Sequence, residues 1–311
     1  MLFQSLLECV TRGTPGVWVS VCRTRGSAPR EAGAGMLVTP DGQSGTIGGG
    51  HLEWKAVELG RERIALGQCA ATLRHYPLGP ALGQCCGGSV DLLFRPVDHA
   101  ARPWVEALAH AESEGGTVEL DTRVDAGSAH TCLAAGACGD ALRTSHRFDP
   151  WHVWVFGAGH VGRAVERVFG ALECRLTWVD ARDEAFPHPV ASNVRVLASD
   201  LPHAEVRDIR PGADVLVLTH SHVLDFEIVH ALLGRDDLGC IGMIGSATKA
   251  ARFRRRLAAR GVDAAAIARL TCPIGRTGGA DKHPGTIAVG IATQLLALRG
   301  ARRHAAAGAA S

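Results

Sequence analysis

A run of apolar residues, Val153-Trp-Val-Phe156, passes directly into Gly157-Ala-Gly159-His-Val-Gly162, and no other stretch of the 311 residues constrains the fold as much. Glycines at this spacing, between a strand and a helix, each have a separate physical task. The first permits a tight turn, the second lets the backbone approach a pyrophosphate, and the third lets helix and strand pack closely. Further apolar runs follow at 176–179, 194–197, 214–218 and 240–244, separated by helical stretches, with a closing helix from about Thr286 to Arg299. That rhythm predicts a parallel sheet covered by helices, a Rossmann-like α/β domain over 151–311. The Ala-rich tail after Gly300 is expected to fray.

A phosphate would sit on the N–H groups that open the helix after Gly159. Asp180 ends the next strand, where an acid can accept hydrogen bonds from ribose hydroxyls. These features suit NAD(P), and they equally suit a domain whose glycines only close a turn, because fold does not fix function. No proton donor-acceptor pair with a carboxylate-binding Arg stands out, which weighs against a dehydrogenase.

Two other segments mark strand ends where ligands bind in such sheets, Thr219-His220-Ser221-His222 and Gly245-Ser246. His220 and His222 lie two apart with Asp225 nearby, a spacing compatible with metal ligation or with plain hydrogen bonding. Ser246 opens a helix through Lys249, either as an anion site or as an ordinary Ser cap. The basic run Arg252, Arg254, Arg255, Arg256 and Arg260 covers several helix faces and reads as solvated surface.

The first 97 residues read as an α+β unit: an amphipathic opening helix, strands at 17–22 and 35–39, a helix from about His51 to Leu66, and strands at 70–76 and 89–95. A helix near 104–113 and a strand at 117–123 follow, and 98–150 is read as the edge of this unit plus a connection, with turns at 125–130 and 133–140. Glycine is abundant, 38 residues, about 12 % against a usual 7 %. Three clusters account for much of the excess: Gly26-Ser-Ala-Pro-Arg30, Gly45-Thr-Ile-Gly48-Gly49-Gly50-His51-Leu-Glu53, and Gly83-Gln84-Cys85-Cys86-Gly-Gly88. Such loops suit a large polar ligand that approaches backbone closely. Arg30 is placed to pair with a phosphate, the amides of Gly48 to Gly50 to bind one, and Glu53 to cap or orient the loop.

Charge narrows the partner class. With 33 Lys plus Arg against 31 Asp plus Glu, nothing favours nucleic acid or an acidic membrane. The N-terminus lacks the basic region of a signal peptide, no apolar run is long enough to span a bilayer, and ten irregularly spaced cysteines suit reduced thiols, so a cytoplasmic protein is expected. Cys85 and Cys86 are adjacent and lack the spacing of a zinc site. Cys86 in the C-G-G turn is a candidate soft thiolate ligand; both thiols are also compatible with plain packing.

These segments together resemble the XdhC/CoxI family, in its XdhC branch of accessory proteins for xanthine dehydrogenase maturation. The likeness runs through G-S-A-P-R at 26–30, G-G-G-H-L-E at 48–53, Q-C-C-G-G at 84–88, F-G-A-G-H-V-G at 156–162, T-H at 219–220, I-G-S-x-x-K at 244–249 and P-I-G at 273–275. It implies an N-terminal XdhC-type domain followed by a Rossmann domain. It implies a chaperone, with no turnover of its own, that binds molybdenum cofactor, keeps it while a cysteine desulfurase exchanges oxo for sulfur, and inserts it into apo-xanthine dehydrogenase. A cofactor donor protein is a further implied partner, and a homodimer an expected assembly. The implied cofactor-binding set is Arg30, Gly48, Gly49, Gly50, His51, Glu53, Gln84, Cys85, Cys86, Gly157, Gly159, His160, Gly162, Asp180, His220, Ser246 and Lys249, with Cys86 the candidate ligand for molybdenum. His51 stands where CoxI-branch members often carry Cys, and the segment after P-I-G, from Arg276 to His283, departs from the family's acidic and apolar continuation.

Overall fold

The computed structural model describes residues 2–78, 87–124, 130–134, 141–276 and 282–309. The chain divides into two units, Met1–Pro150 and Trp151–Ser311.

Unit one contains α1 (Leu2–Arg12), β1 (Gly16–Arg25), β2 (Gly35–Val38), β3 (Gln43–Gly45), α2 (Gly50–Ala65), β4 (Thr72–Pro77), β5 (Ser89–Val97), α3 (Arg102–Glu114), β6 (Gly116–Arg123), β7 (His130–Leu133) and β8 (Leu142–Phe148). An antiparallel sheet in the order β3-β2-β1-β5-β4 forms its centre, and β7-β6-β8 form a second antiparallel sheet. Alternation along β1 explains the layering. Val17, Val19 and Val21 join the cluster that holds Leu52, Ala56 and Val57 of α2. Trp18 points into the other cluster, with Phe3 and Leu6 of α1 and Trp104, Val105 and Leu108 of α3. Successive side chains of a strand face opposite ways, so a strand apolar at every position is covered on both faces. Helix α2 comes close because Gly60 has no side chain; a Cβ there would sit 3.2 Å from Val38.

The stretch 98–150 carries more than an edge and a connection. Helix α3 and the second sheet add to the α1 side of unit one, with Val118 and Leu120 in the same cluster as Trp18. The turn reading at 125–130 and 133–140 falls mostly outside the described residues, but His130–Leu133 is a strand paired with β6.

Unit two contains β9 (His152–Phe156), α4 (His160–Phe169), β10 (Arg175–Asp180), β11 (Val194–Ala198), β12 (Asp214–Val217), α5 (His222–Leu233), β13 (Ile241–Met243), α6 (Ala247–Ala259), α7 (Ala264–Ala268), β14 (Leu270–Thr271) and α8 (Pro284–Ala309). All its strand pairs are parallel, in the order β11-β10-β9-β12-β13-β14. Counted along the unit this is 3-2-1-4-5-6, the doubly wound dinucleotide-fold order, which reverses between β9 and β12. Trp154, Phe156, Val215 and Val217 face α5 and α6, while Val153, Val155, Leu216 and Trp178 face α4 and α8. The tail expected to fray continues α8 through Ala309. It is tied down at Arg302, whose guanidinium donates to the fully buried Asp214 at 2.7 Å; Asp214 also accepts from Trp151 Nε1 and the Cys240 amide.

Candidate functional site

In unit one the segment around Gly26 to Arg30 packs against the G-G-G loop on one side and against Gly88 on the other. A Cβ on Gly48 would lie 2.4 Å from Pro29 Cβ and 3.4 Å from Arg30 Cγ, so the G-G-G loop lies directly against the S-A-P-R segment. A Cβ on Gly88 would strike the carbonyl oxygens of Arg25 and Ser27 at 2.3 and 2.4 Å. Side chains at 48 or 88 would push the segments apart, which is why these positions carry glycine. Gln84, Cys85 and Cys86 lie outside the described residues, and so does the suggestion of Cys86 as a molybdenum ligand.

Geometry corrects the phosphate reading of the G-G-G loop. Glu53 Oε2 accepts from the Thr46 hydroxyl, from the Ile47 amide at 3.0 Å and from the Gly49 amide at 3.1 Å, while Gln43 donates to Oε1 at 3.1 Å. The Gly48 amide donates to Thr46 Oγ1 at 3.0 Å. Burial pushes the Glu53 carboxyl up, and these hydrogen bonds outweigh it, holding the group below the usual carboxylate range. The anion in this loop is therefore the chain's own carboxylate. Amides left without a side-chain cap are those that open α2, starting at Gly50. Arg30 is about a third exposed and meets Glu31 at 3.4 Å. His51 is exposed and stacks on Trp54 with ring centroids 5.5 Å apart; Trp54 is 58 % exposed and went unremarked in the sequence because a single aromatic on a helix carries no pattern.

In unit two the glycine turn has the expected division of labour. Gly157 has φ +113°, and a Cβ there would strike the Leu218 carbonyl at 2.6 Å. A Cβ on Gly162 would fall 2.0 Å from Gly157 O, so any side chain would part α4 from β9. Gly159 differs: nothing lies within 4 Å of its Cβ position, and it precedes the exposed His160 at the start of α4. That open position is where a pyrophosphate approaches in such folds.

Asp180 does not present a free carboxylate. Its Oδ2 accepts from the Ala158 amide at 2.7 Å and from Arg182 Nη2 at 3.2 Å, and its Oδ1 from Arg182 N and Nε, both at 3.0 Å. Burial pushes its pKa up, but these hydrogen bonds and the Arg182 charge hold it below the ordinary value. The ribose reading of Asp180 is thereby replaced by a bracing role, in which the acid ties β10 to the glycine turn. Arg182 is the residue the sequence reading missed; a D-x-R step at a strand end was the available signal.

At the ends of β12 and β13 the metal reading of His220 and His222 with Asp225 gives way as well. Asp225 is completely buried and accepts from Lys249 Nζ at 2.6 Å and from Thr219 Oγ1 at 2.7 Å. Lys249 Nζ also donates to the Ile244 carbonyl at 3.1 Å. His222 pairs with Arg252 at 2.7 Å, and His220 is exposed. Among the described residues no group of three His, Cys, Asp or Glu side chains could hold a metal ion. Ser246 is an ordinary cap, accepting from the Lys249 amide at 3.1 Å. The basic run is partly tethered: Arg256 stacks on Phe226 at 3.8 Å, and Arg254 donates to the Leu270 carbonyl.

Strand order and the three-glycine turn define unit two as a Rossmann domain joined to an α+β domain in one chain. Comparison with known proteins agrees. Residues 153–295 match the model described as the XdhC Rossmann domain, and residues 9–77 that of the XdhC and CoxI family. The chain belongs to the XdhC/CoxI family. It is similar to an Escherichia coli protein, YqeB, described as uncharacterized, with 26 % identity over 306 residues; the alignment takes in 96 % of this chain and 46 % of YqeB, so the chain spans about half the length of that relative. In fold it is similar to a Bacillus halodurans protein described as a xanthine dehydrogenase, with a TM-score of 0.76, 22 % identity and 97 % of each chain covered. Among the described residues no helix is long and apolar enough to cross a membrane.

Proposed function

We propose that this chain is a maturation factor for a xanthine dehydrogenase, carrying molybdenum cofactor as cargo, holding it for sulfuration by a cysteine desulfurase and releasing it to the apo-enzyme. The supporting observation is the meeting of the three glycine-rich segments in unit one. Gly88, two residues beyond Cys86, packs on Arg25 and Ser27, while Gly48 packs on Pro29 and Arg30. This brings the Arg30 segment together with the G-G-G loop and with Gly88, and the chain's Cys86 stands two positions before Gly88 in sequence; guanidinium, backbone amides and a thiol are the donor types that suit a pterin with a phosphate and a thiolate-binding metal. The Glu53 carboxylate and the Thr46 hydroxyl already take the Ile47 to Gly49 amides, so Arg30 and the uncapped amides at the start of α2 are the groups left for the phosphate. Delivery needs only that the apo-enzyme bind the cargo more tightly than this chain does.

The test is to incubate the purified chain with freshly released cofactor, separate free ligand, and assay molybdenum and pterin together with reconstitution of apo-xanthine dehydrogenase. About one cofactor per chain and a rise in reconstituted activity are expected, with Cys86→Ala losing cofactor faster than the exposed-thiol control Cys69→Ala. Absence of both binding and reconstitution overturns the proposal.

A second reading, binding of a dinucleotide of the NAD(P) type by unit two, is supported by the open space at Gly159 beside two glycines that backbone contacts require. Calorimetric titration with both dinucleotides tests it; no heat from either one rejects it.

A further inference from the structure

We propose that the carboxyl end of β10 is a specificity site for a 2′-phosphorylated dinucleotide of the NADP type, with Arg182 as the residue that selects it. The proposal rests on the dinucleotide reading of the Gly157 turn. In a sheet of this order the adenosine ribose lies over the end of the second strand, where a free carboxylate takes its hydroxyls and a nearby Arg takes a 2′-phosphate.

Asp180 occupies the carboxylate position with no acceptor to spare. A carboxylate offers about four acceptor sites, and four N–H groups fill them: one from Ala158 and three from Arg182. A ribose hydroxyl would have to displace one of these donors, each within 3.2 Å. What the strand end presents instead is Arg182. Its side chain is 46 % exposed and is fixed in direction by Asp180. Two of the five guanidinium N–H groups point at Asp180, leaving the rest of the fork for a second anion. Arg163, exposed on the first turn of α4, donates to the Ala185 carbonyl at 2.8 Å and so brings another cation to the 182–185 loop. Asp183 and Glu184 follow Arg182, but both are exposed, where solvent and salt screen their repulsion.

The experiment is a titration of the full chain with NADP, NAD, adenosine 2′,5′-bisphosphate and AMP. NADP is expected to bind about ten- to a hundredfold more tightly than NAD, and the bisphosphate to exceed AMP by a similar factor, the size of one charge-assisted pair. Arg182→Ala is to lower NADP affinity by that factor while leaving NAD binding equal or stronger, because each Asp180 oxygen then loses one side-chain donor and gains an acceptor site for a hydroxyl, the Arg182 backbone amide staying in place. Arg182→Lys, which keeps the charge without the fork, is to fall between. Equal binding of NAD and NADP by the unmodified chain, or a preference that survives Arg182→Ala, overturns the proposal and leaves the dinucleotide reading standing. Failure of all four compounds to bind overturns both. Should the variants not fold, the NADP to NAD ratio of the unmodified chain decides.

Discussion

At the scale of single residues, a buried cation of unit one is solvated by hydroxyl groups. Arg95 is fully buried and donates to the hydroxyls of Thr122 at 3.0 Å, Ser20 at 2.8 Å and Thr144 at 2.7 Å, with its guanidinium 4.5 Å over Trp18. Burial lowers its pKa to about 10. His146 is buried beside this group and bonded to Thr144; burial first, and then the Arg95 charge, pull its pKa down to about 4. A histidine depressed in the fold takes up a proton more readily when unfolded, so stability is full above the unfolded value and is lost as pH falls from about 6.5 towards 4. Between pH 7 and pH 5 the loss is about 2 kcal/mol by this linkage. Urea unfolding at the two pH values measures it, and His146→Gln, which does not titrate, is expected to flatten the difference.

At the scale of elements, both glycine turns share one device: a carboxylate from a neighbouring element closes on turn amides from inside. Glu53 of α2 does this for Ile47 and Gly49, and Asp180 of β10 for Ala158. The turns were legible in the sequence because glycine spacing records where backbone crowds backbone. The carboxylates' partners were not, because Glu53 and Asp180 each have several donors within reach along the chain, and only packing selects among them. The same holds for the α5–α6 contact, where Lys249 reaches Asp225 across 24 positions of sequence. With Asp225 fully buried and Lys249 12 % exposed, removing one partner strands a charge. Lys249→Met is expected to cost about 3–5 kcal/mol, and the double change with Asp225→Leu to recover much of it. Thermal melts of the two single variants and the double variant check this; additive losses would contradict it.

At the scale of the whole molecule, each unit has its own pair of core clusters and its own sheets. At about 150 residues apiece, both are of a size that folds alone. Fragments 1–150 and 151–311 are therefore expected to unfold cooperatively when made separately, as read by circular dichroism. A fragment lacking a sigmoidal transition would show that its core depends on the rest of the chain. The boundary at Pro150 was visible as a change from weak to strong apolar rhythm. The integration of 98–150 into unit one was not, because β6 pairs with β8 across the intervening β7, a long-range choice with no local signature.

The sequence by itself determined the Rossmann domain, its parallel sheet and the family, since strand rhythm and glycine spacing are local consequences of φ restrictions and hydrophobic burial. It also marked which loops crowd one another. Only the tertiary structure decided which amides, carboxylates and cations remain free for a ligand. Hydrogen-bond partners are chosen by three-dimensional proximity, and a buried carboxylate takes the nearest donor whatever its place in the chain. Asp180 reads in sequence as an acceptor for ribose, and in the fold it is spent on Ala158 and Arg182, leaving the arginine half exposed at the strand end.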